Sequence, residues 1–162
     1  PPRSTLFPYT TLFRSGKCFE QRGFKVAQGF HPNPTSYPEV GEIDLICTRD
    51  DIVFIVEVKS SFRRRSTREA WLHGKTSLRK AGQQLRRKVA AIDQMLQTPH
   101  EGELNLGLSG CCPVYGIIAD TSIEHDHERF EDFLKVSIEE ILIALRDDIQ
   151  LLTDPLDRKS VV

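Results

Sequence analysis

Two apolar segments on either side of a polar tip decide the fold of this chain: GEIDLICT, residues 41–48, and IVFIVEVK, residues 52–59. Both segments are rich in β-branched residues, which is typical of strands that have little contact with solvent. The three residues between them, Arg49, Asp50 and Asp51, are polar and too few for anything longer than a turn. The sequence therefore predicts a β-hairpin.

The register of this hairpin follows from its turn. If the turn is centred between the two aspartates, the numbers of facing residues sum to 101. Asp44 then faces Glu57, and Glu42 faces Lys59. Because side chains alternate between the two faces of a strand, this register places all four on one face of the sheet. A shift of one residue would separate them, so the site prediction depends on this register.

Two facing carboxylates need a cation, because facing Cβ atoms are about 4.5–5.5 Å apart and like charges at that distance destabilise a sheet. Lys59 supplies one cation, and a divalent metal would supply a better one. Mg²⁺ favours carboxylate oxygens and retained waters, so Asp44 and Glu57 are suited to hold it. Lys59 would orient or deprotonate a water, or stabilise a developing anion. The alternative is a row of exposed ion pairs, but residues 52–56 are too apolar for an exposed edge.

The two segments together resemble the PD-(D/E)XK nuclease superfamily, which includes restriction endonucleases, Holliday junction resolvases and RecB-type nucleases. The family has an acid on one strand, matched by Asp44, and an acid, any residue and a lysine on the next, matched by Glu57, Val58 and Lys59. Ile43 stands where the family name has proline. The resemblance implies a catalytic role for the acids and the lysine, with Mg²⁺ or Mn²⁺ bound by Asp44, Glu57 and the Val58 carbonyl.

The same resemblance implies two further site residues. The first helix of the family often donates a glutamate to the metal site, and Glu20 stands at the matching place; a solvated helix glutamate is the alternative. RecB-like members carry glutamine and leucine followed by a tyrosine on the helix after the acid–x–lysine strand. Gln84 and Leu85 match the beginning of that motif, whereas Lys88 stands in place of the tyrosine. Gln84 is thus a candidate DNA contact, with an ordinary polar helix residue as the alternative.

A basic segment follows the second hairpin strand. We expect Arg63, Arg64 and Arg65 to contact the phosphodiester backbone beside the carboxylates, with a solvated arginine loop as the alternative. Charge is distributed unevenly: residues 62–88 carry ten Lys or Arg and one acid, whereas residues 120–157 carry twelve acids and three Lys or Arg. The formal net charge of −1 hides this asymmetry, which indicates a polyanion on one side of the molecule.

Periodicity predicts the other elements. They are a helix that ends at Gly23, a strand over residues 24–30, a helix over 77–97, a buried parallel strand over 114–120 and an amphipathic helix over 128–152. Residues 31–38 contain three prolines and form a loop beside the cleft. The order resembles the αβββαβ core of the restriction endonuclease-like fold. We therefore expect an α/β domain with a mixed sheet flanked by helices.

Two local patterns carry smaller predictions. Thr67 is a candidate N-cap for a helical region that His73-Gly74-Lys75 breaks or bends. His125-Asp126-His127 is better explained as a charged helix start than as a metal site, because no nearby residue completes a set of ligands.

The two ends of the chain differ from the rest. Residues 1–15 repeat Thr-Leu-Phe without any helical or strand period, and both this segment and residues 157–162 are similar to translated sequencing-adapter sequence. Excluding both leaves residues 16–156 as one nuclease-like domain, which by this interpretation is truncated at both ends.

Four cysteines without metal-ligand spacing, two of them adjacent at Cys111 and Cys112, favour a reduced cytoplasmic setting. No run of about 18 apolar residues predicts a membrane span. The expected function is metal-dependent hydrolysis of DNA phosphodiester bonds. A catalytically inactive nucleic-acid-binding module with the same fold, and an RNA substrate, are the alternatives. The expected partners are DNA and either a second copy in a homodimer or fused domains that are missing.

Overall fold

The computed structural model describes residues 15–60, 64–97 and 112–146. Most of both adapter-like ends, Arg63 and Cys111 lie outside the described residues. In chain order the elements are helix α1 (15–21), strands β1 (Lys25–Phe30), β2 (Ile43–Arg49) and β3 (Ile52–Lys59), helices α2 (Thr67–His73) and α3 (Arg79–Gln97), strands β4 (Val114–Asp120), β5 (Arg129–Phe130) and β6 (Phe133–Ser137), and helix α4 (Ile138–Arg146).

The strands form one sheet in the order β1-β2-β3-β4-β6-β5. Strand β2 pairs antiparallel with both β1 and β3, β3 pairs in parallel with β4 and β4 with β6, and β5 pairs antiparallel with β6. The predicted mixed sheet with an αβββαβ core is therefore confirmed, including the parallel pairing of the strand over residues 114–120. None of the helices in the described parts of the chain combines the length and the hydrophobicity of a membrane span.

The hairpin that joins β2 to β3 has the predicted register. Leu45 pairs with Val56 and Arg49 with Ile52, so the numbers of facing residues sum to 101. Asp50 and Asp51 form the turn with φ of 50° and 61°. Positive φ at both central residues is what a type I′ turn requires, and its twist matches that of the strands on either side.

Side chains from the two faces of the sheet enter two separate hydrophobic clusters. Ile46 and Ile55 pack with Leu85 of α3 on one face. Leu45 and Val56 pack on the other face, in the cluster that contains Phe19 of α1 and Ile138 of α4. The alternation along β2 and β3 places residues 44, 46, 55 and 57 on the α3 face.

The long helix on that face is interrupted once. The irregularity predicted at residues 73–75 is a π-helical turn, Gly74–Leu78, through which α2 continues into α3. A Cβ atom at Gly74 would lie 3.0 Å from the imidazole of His125, so only glycine lets the ring pack this closely. The helix begins one residue earlier than predicted, because Ser66 rather than Thr67 is the N-cap and accepts the N–H of Glu69.

The prediction of one helix over residues 128–152 is wrong in its first half. Strands β5 and β6 form a hairpin there, with φ of 54° at Glu131 and 74° at Asp132 in the turn. Strand β6 lies beside β4 in the sheet, and Phe133 packs against the hydrophobic cluster on the α3 face. The spacing of Phe130, Phe133 and Leu134 fits both structures, which is why periodicity chose the helix. His125 and His127 lie in a turn, not at a helix start.

Candidate active site

Asp44 stands at the point where β2 and β3 separate. At this end of the hairpin, Leu45 of β2 is paired with Val56 of β3. Asp44 is the next residue toward the beginning of β2, and its Oδ2 atom accepts the N–H of Val58 on β3 at 2.7 Å. The side chain thus replaces the partner strand for this N–H, which fixes the carboxylate at the end of β3.

Glu57 occupies the centre of the site and is almost fully buried, with 3% of its side chain exposed. Its Oε1 atom accepts a hydrogen bond from Lys59 Nζ at 2.7 Å. Its Oε2 atom is in contact with the ammonium of Lys88, which lies 3.9 Å from Oδ1 of Asp44. The structure therefore brings together the three residues that the sequence singled out and adds a fourth. We call Asp44, Glu57, Lys59 and Lys88 the carboxylate–lysine cluster.

Lys88 is the site residue that the sequence analysis missed. The sequence analysis gave it no role and noted only that it stands in place of the motif's tyrosine, yet only 4% of it is exposed. The signal was its spacing, because Leu85, Lys88 and Ile92 lie three and four residues apart along the apolar stripe of α3. A lysine within such a stripe must find an anion, and here that anion is Glu57.

The proximity of Asp44 and Glu57 in a buried place changes the pKa of Asp44. Burial raises the pKa of Asp44 above its ordinary value, and the neighbouring Glu57 raises it further. Lys88, the N–H of Val58 and Lys59 oppose this shift of the pKa without cancelling it. A divalent cation between the carboxylates would act in the same direction as the two lysines, with twice the charge.

Gln84 extends the cluster toward solvent. Its Oε1 atom accepts a hydrogen bond from Lys59 Nζ at 3.3 Å. The Lys59 side chain is 30% exposed, so its ammonium joins the buried carboxylate to the open side of the site. Gln84, proposed from the resemblance alone, thus lies at the rim of the cluster.

The structure does not bring Glu20 to the cluster. Helix α1 packs on the opposite face of the sheet, where Glu20 helps raise the pKa of the Cys47 thiol. Near its beginning α1 approaches Gln28 at Gly16, and just after its end the Arg22 carbonyl accepts a hydrogen bond from Arg49 beside the hairpin turn. Glu42 is also turned aside, because its carboxylate faces His31 at 3.9 Å.

The described arginines of the basic segment differ from each other. Arg64 is turned inward, with 8% of its side chain exposed, and donates to Glu124 at 2.6 Å. Its other terminal nitrogen lies 3.7 Å from the buried Asp120, which also contacts His73 at 3.0 Å. Arg65 is exposed. Asp120 is the register partner of Lys59 on β4, so this second network lies directly beside the cluster.

Within the described ranges, no group of three or more His, Cys, Asp or Glu residues is arranged to hold a metal ion. The donors of the cluster are the two carboxylates of Asp44 and Glu57. That set fits Mg²⁺, which binds through one or two carboxylates and completes its shell with waters and substrate phosphate.

A mixed sheet that carries an acid on one strand and an acid–x–lysine motif on the next defines a nuclease-like domain of the PD-(D/E)XK type. The chain belongs to the nuclease-related domain (NERD) family, whose model matches residues 15–119. Among solved structures, the small subunit of the heterodimeric restriction endonuclease R.BspD6I is similar to the chain. It has 11% sequence identity and a TM-score of 0.43, over 88% of this chain and 82% of that subunit. No curated protein matches the sequence.

Proposed function

We propose that the domain hydrolyses DNA phosphodiester bonds with Mg²⁺ or Mn²⁺ bound by Asp44 and Glu57. The observation that carries the proposal is the convergence of these two carboxylates with the Lys59 ammonium at the end of β3. The Val58 carbonyl is a further ligand in this proposal. A divalent cation held there would neutralise charge that develops on the phosphoryl group.

Lys59 and Lys88 have different roles in this proposal. Lys59 is fixed by Glu57 and Gln84 and is partly exposed, so its ammonium is placed to hold the attacking water against the phosphate. The water oxygen bonds to phosphorus as the bond to the leaving sugar oxygen breaks, the water loses a proton to bulk solvent, and the sugar oxygen takes one up from solvent. The Lys59 ammonium stabilises the negative charge that develops on the phosphoryl oxygens. Lys88 is too buried to reach substrate and acts by holding Glu57 in position.

Substrate binding is assigned to the rim. We propose that Arg63, Arg65 and Gln84 contact the DNA backbone, because phosphate contacts position a nucleic acid without reading its sequence. Arg64 is held inward by Glu124 and contributes positive charge rather than a flexible contact. The position of Glu20 on the other face of the sheet gives it no part in this scheme.

One observation favours the second candidate, a catalytically inactive nucleic-acid-binding module. The Lys88 ammonium already neutralises Glu57, so the carboxylates do not lack a positive partner. Under this alternative the domain binds DNA without cutting it, and divalent metal has no effect on binding.

Incubation with plasmid, branched and single-stranded DNA, and with RNA, separates these candidates. We expect the wild type to cut DNA with Mg²⁺ or Mn²⁺ and not with EDTA, and Asp44→Ala and Lys59→Ala to be inactive while still folded. Binding without cutting under every condition would support the inactive module. Cutting that survives both substitutions would mean that the activity does not arise from this cluster.

A further inference from the structure

A second candidate site lies beside the long helix, away from the carboxylate–lysine cluster. It is a cavity of about 530 Å³ between the π-helical turn Gly74–Leu78 and the loop and hairpin that carry His125 and Phe130. Its volume is within the range of about 300–1,000 Å³ that is typical of small-molecule sites. We call it the Trp71 cavity, after the largest side chain in its wall.

The cavity lies on the far side of α3 from the cluster. Arg79 lines the cavity, whereas Gln84 contacts Lys59 of the cluster. Because Arg79 and Gln84 are five residues apart on the helix, their side chains point in directions that differ by about 140° around its axis. Gly74 and Gln84 are ten residues apart, which is about 15 Å along the helix. The cavity is therefore separate from the cleft to which we assign hydrolysis.

Trp71 gives the cavity an aromatic wall. Trp71 is 58% exposed, although α2 lies against the rest of the molecule through His73 and Gly74. Large aromatic side chains are usually buried, so an exposed one at the mouth of a concave site indicates a surface for a planar ligand. Aromatic rings stack on nucleic acid bases without regard to the identity of the base.

The charges around Trp71 favour an anion. Lys75, Arg79 and Arg129 line the cavity together with Glu128 and Glu131. Both acids are engaged, since Glu128 pairs with His125 at 3.0 Å, and Glu131 pairs with Arg86 at 2.9 Å and with Arg79 at 3.9 Å.

Two of the basic residues keep their charge available. Among the residues that the structure describes, no carboxylate pairs with Lys75 or Arg129, and Arg129 donates only to the main-chain carbonyl of Asp132. The hydrogen bond from His125 to the Ala70 carbonyl raises the pKa of that histidine, and Glu128 adds to the effect. The cavity therefore combines a flat apolar surface with an excess of positive charge.

We propose that the Trp71 cavity binds a nucleotide, with the base stacked on Trp71 and the phosphate held by Lys75 and Arg129. The ligand is either a free mononucleotide or one unit of a single-stranded nucleic acid, since both present the same base and phosphate. The proposal does not depend on hydrolysis by the cluster, because the two sites share no residue.

The chain contains a single tryptophan, so tryptophan fluorescence arises from the wall of this cavity. The full chain is titrated in EDTA, where cleavage does not interfere, with adenosine monophosphate and with a short oligothymidylate. Adenosine, which lacks the phosphate, and ribose 5-phosphate, which lacks the base, are the ligand controls. We expect saturable quenching by at least one of the two nucleotide probes, and binding at least about tenfold weaker for either control.

Charge variants test the phosphate contact. Lys75→Glu and Arg129→Gln should each weaken the quenching by about tenfold, whereas Lys25→Glu, an exposed lysine on edge strand β1, should leave it unchanged. Quenching by the mononucleotide alone identifies a free nucleotide as the ligand, and quenching by the oligonucleotide alone identifies a strand. No quenching by either probe, equal quenching by adenosine, or equal weakening by all three substitutions would overturn the proposal.

Discussion

The ammonium of Lys88 on α3 is in contact with the carboxylate of Glu57 on β3, and both side chains are almost fully buried. This contact ties the helix to the sheet at the candidate site. It also places a fixed positive charge 3.9 Å from Asp44, the acid that faces Glu57 across the hairpin. The two carboxylates are thus held close together by the protein itself.

Replacing Lys88 should destabilise the fold. Lys88→Met leaves Glu57 and Asp44 with Lys59 as their only ammonium partner in the cluster, and we expect the free energy of unfolding to fall by about 3 kcal/mol. Urea denaturation measures this change. Lys80→Met, on the exposed side of the same helix, should change the stability by less than about 0.5 kcal/mol. The double variant Lys88→Met/Glu57→Gln should recover part of the lost stability. If Lys88→Met were as stable as the wild type, Lys88 would not be in contact with Glu57.

Gly82 should not tolerate alanine, although alanine is the better helix former. A Cβ atom at this position would lie 2.5 Å from the Phe130 carbonyl oxygen, where main chain cannot easily move. We expect Gly82→Ala to lower the melting temperature and to cost about 2 kcal/mol, against the gain of about 1 kcal/mol that helix propensity alone would give. Gln83→Ala, exposed on the same helix, is the control. A stabilised Gly82→Ala would show that α3 and β5 are further apart.

Cys47 should resist thiol reagents for as long as the domain is folded. Burial raises the pKa of its thiol to about 12, and the thiolate is the reactive form. We expect labelling at pH 8 to modify the less buried Cys18 first, and Cys47 only in denaturant. Mass spectrometry of the labelled peptides distinguishes them. Rapid labelling of Cys47 in the native protein would mean that α1 does not cover this face of the sheet.

His73 should make the domain sensitive to mild acid. Burial lowers the pKa of His73 below its ordinary value of 6.5, although the hydrogen bond to Asp120 opposes the shift. Below pH 6.5 the unfolded chain therefore takes up a proton before the native protein does, and stability falls as the pH drops toward the native pKa. His73→Gln should flatten this part of the stability profile, whereas His31→Gln, at an exposed loop position, should not. If the stability of the wild type and of His73→Gln depended on pH in the same way, His73 would not be the group responsible.

The hairpin could be predicted closely because its information is local. Its β-branched segments, its two-residue turn and its face alternation all lie within residues 41–59, and together they determined the register that brings Asp44 opposite Glu57. The strand over residues 114–120 was also predicted correctly, since a short apolar segment after a long helix has few alternatives.

The remaining parts depend on contacts between distant segments. Nothing local distinguishes the β5–β6 hairpin from a helix, and only the free edge of β4 selects the strand. Lys88 was not recognised as a site residue because its buried partner, Glu57, lies 31 residues away in the sequence. Glu20 was assigned to the site through the family resemblance, whereas the face of the sheet on which α1 packs is decided by contacts between distant segments.

The binding of Mn²⁺ tests most directly whether Asp44 and Glu57 form a metal site. Free Mn²⁺ gives a strong electron paramagnetic resonance signal that is lost on binding, so a titration of the folded domain counts bound ions without any substrate. We expect the wild type to bind Mn²⁺, and Asp44→Asn, which keeps the shape but removes the charge, to bind it at least about tenfold more weakly. Equal binding by the two proteins, or none by the wild type, would contradict the account.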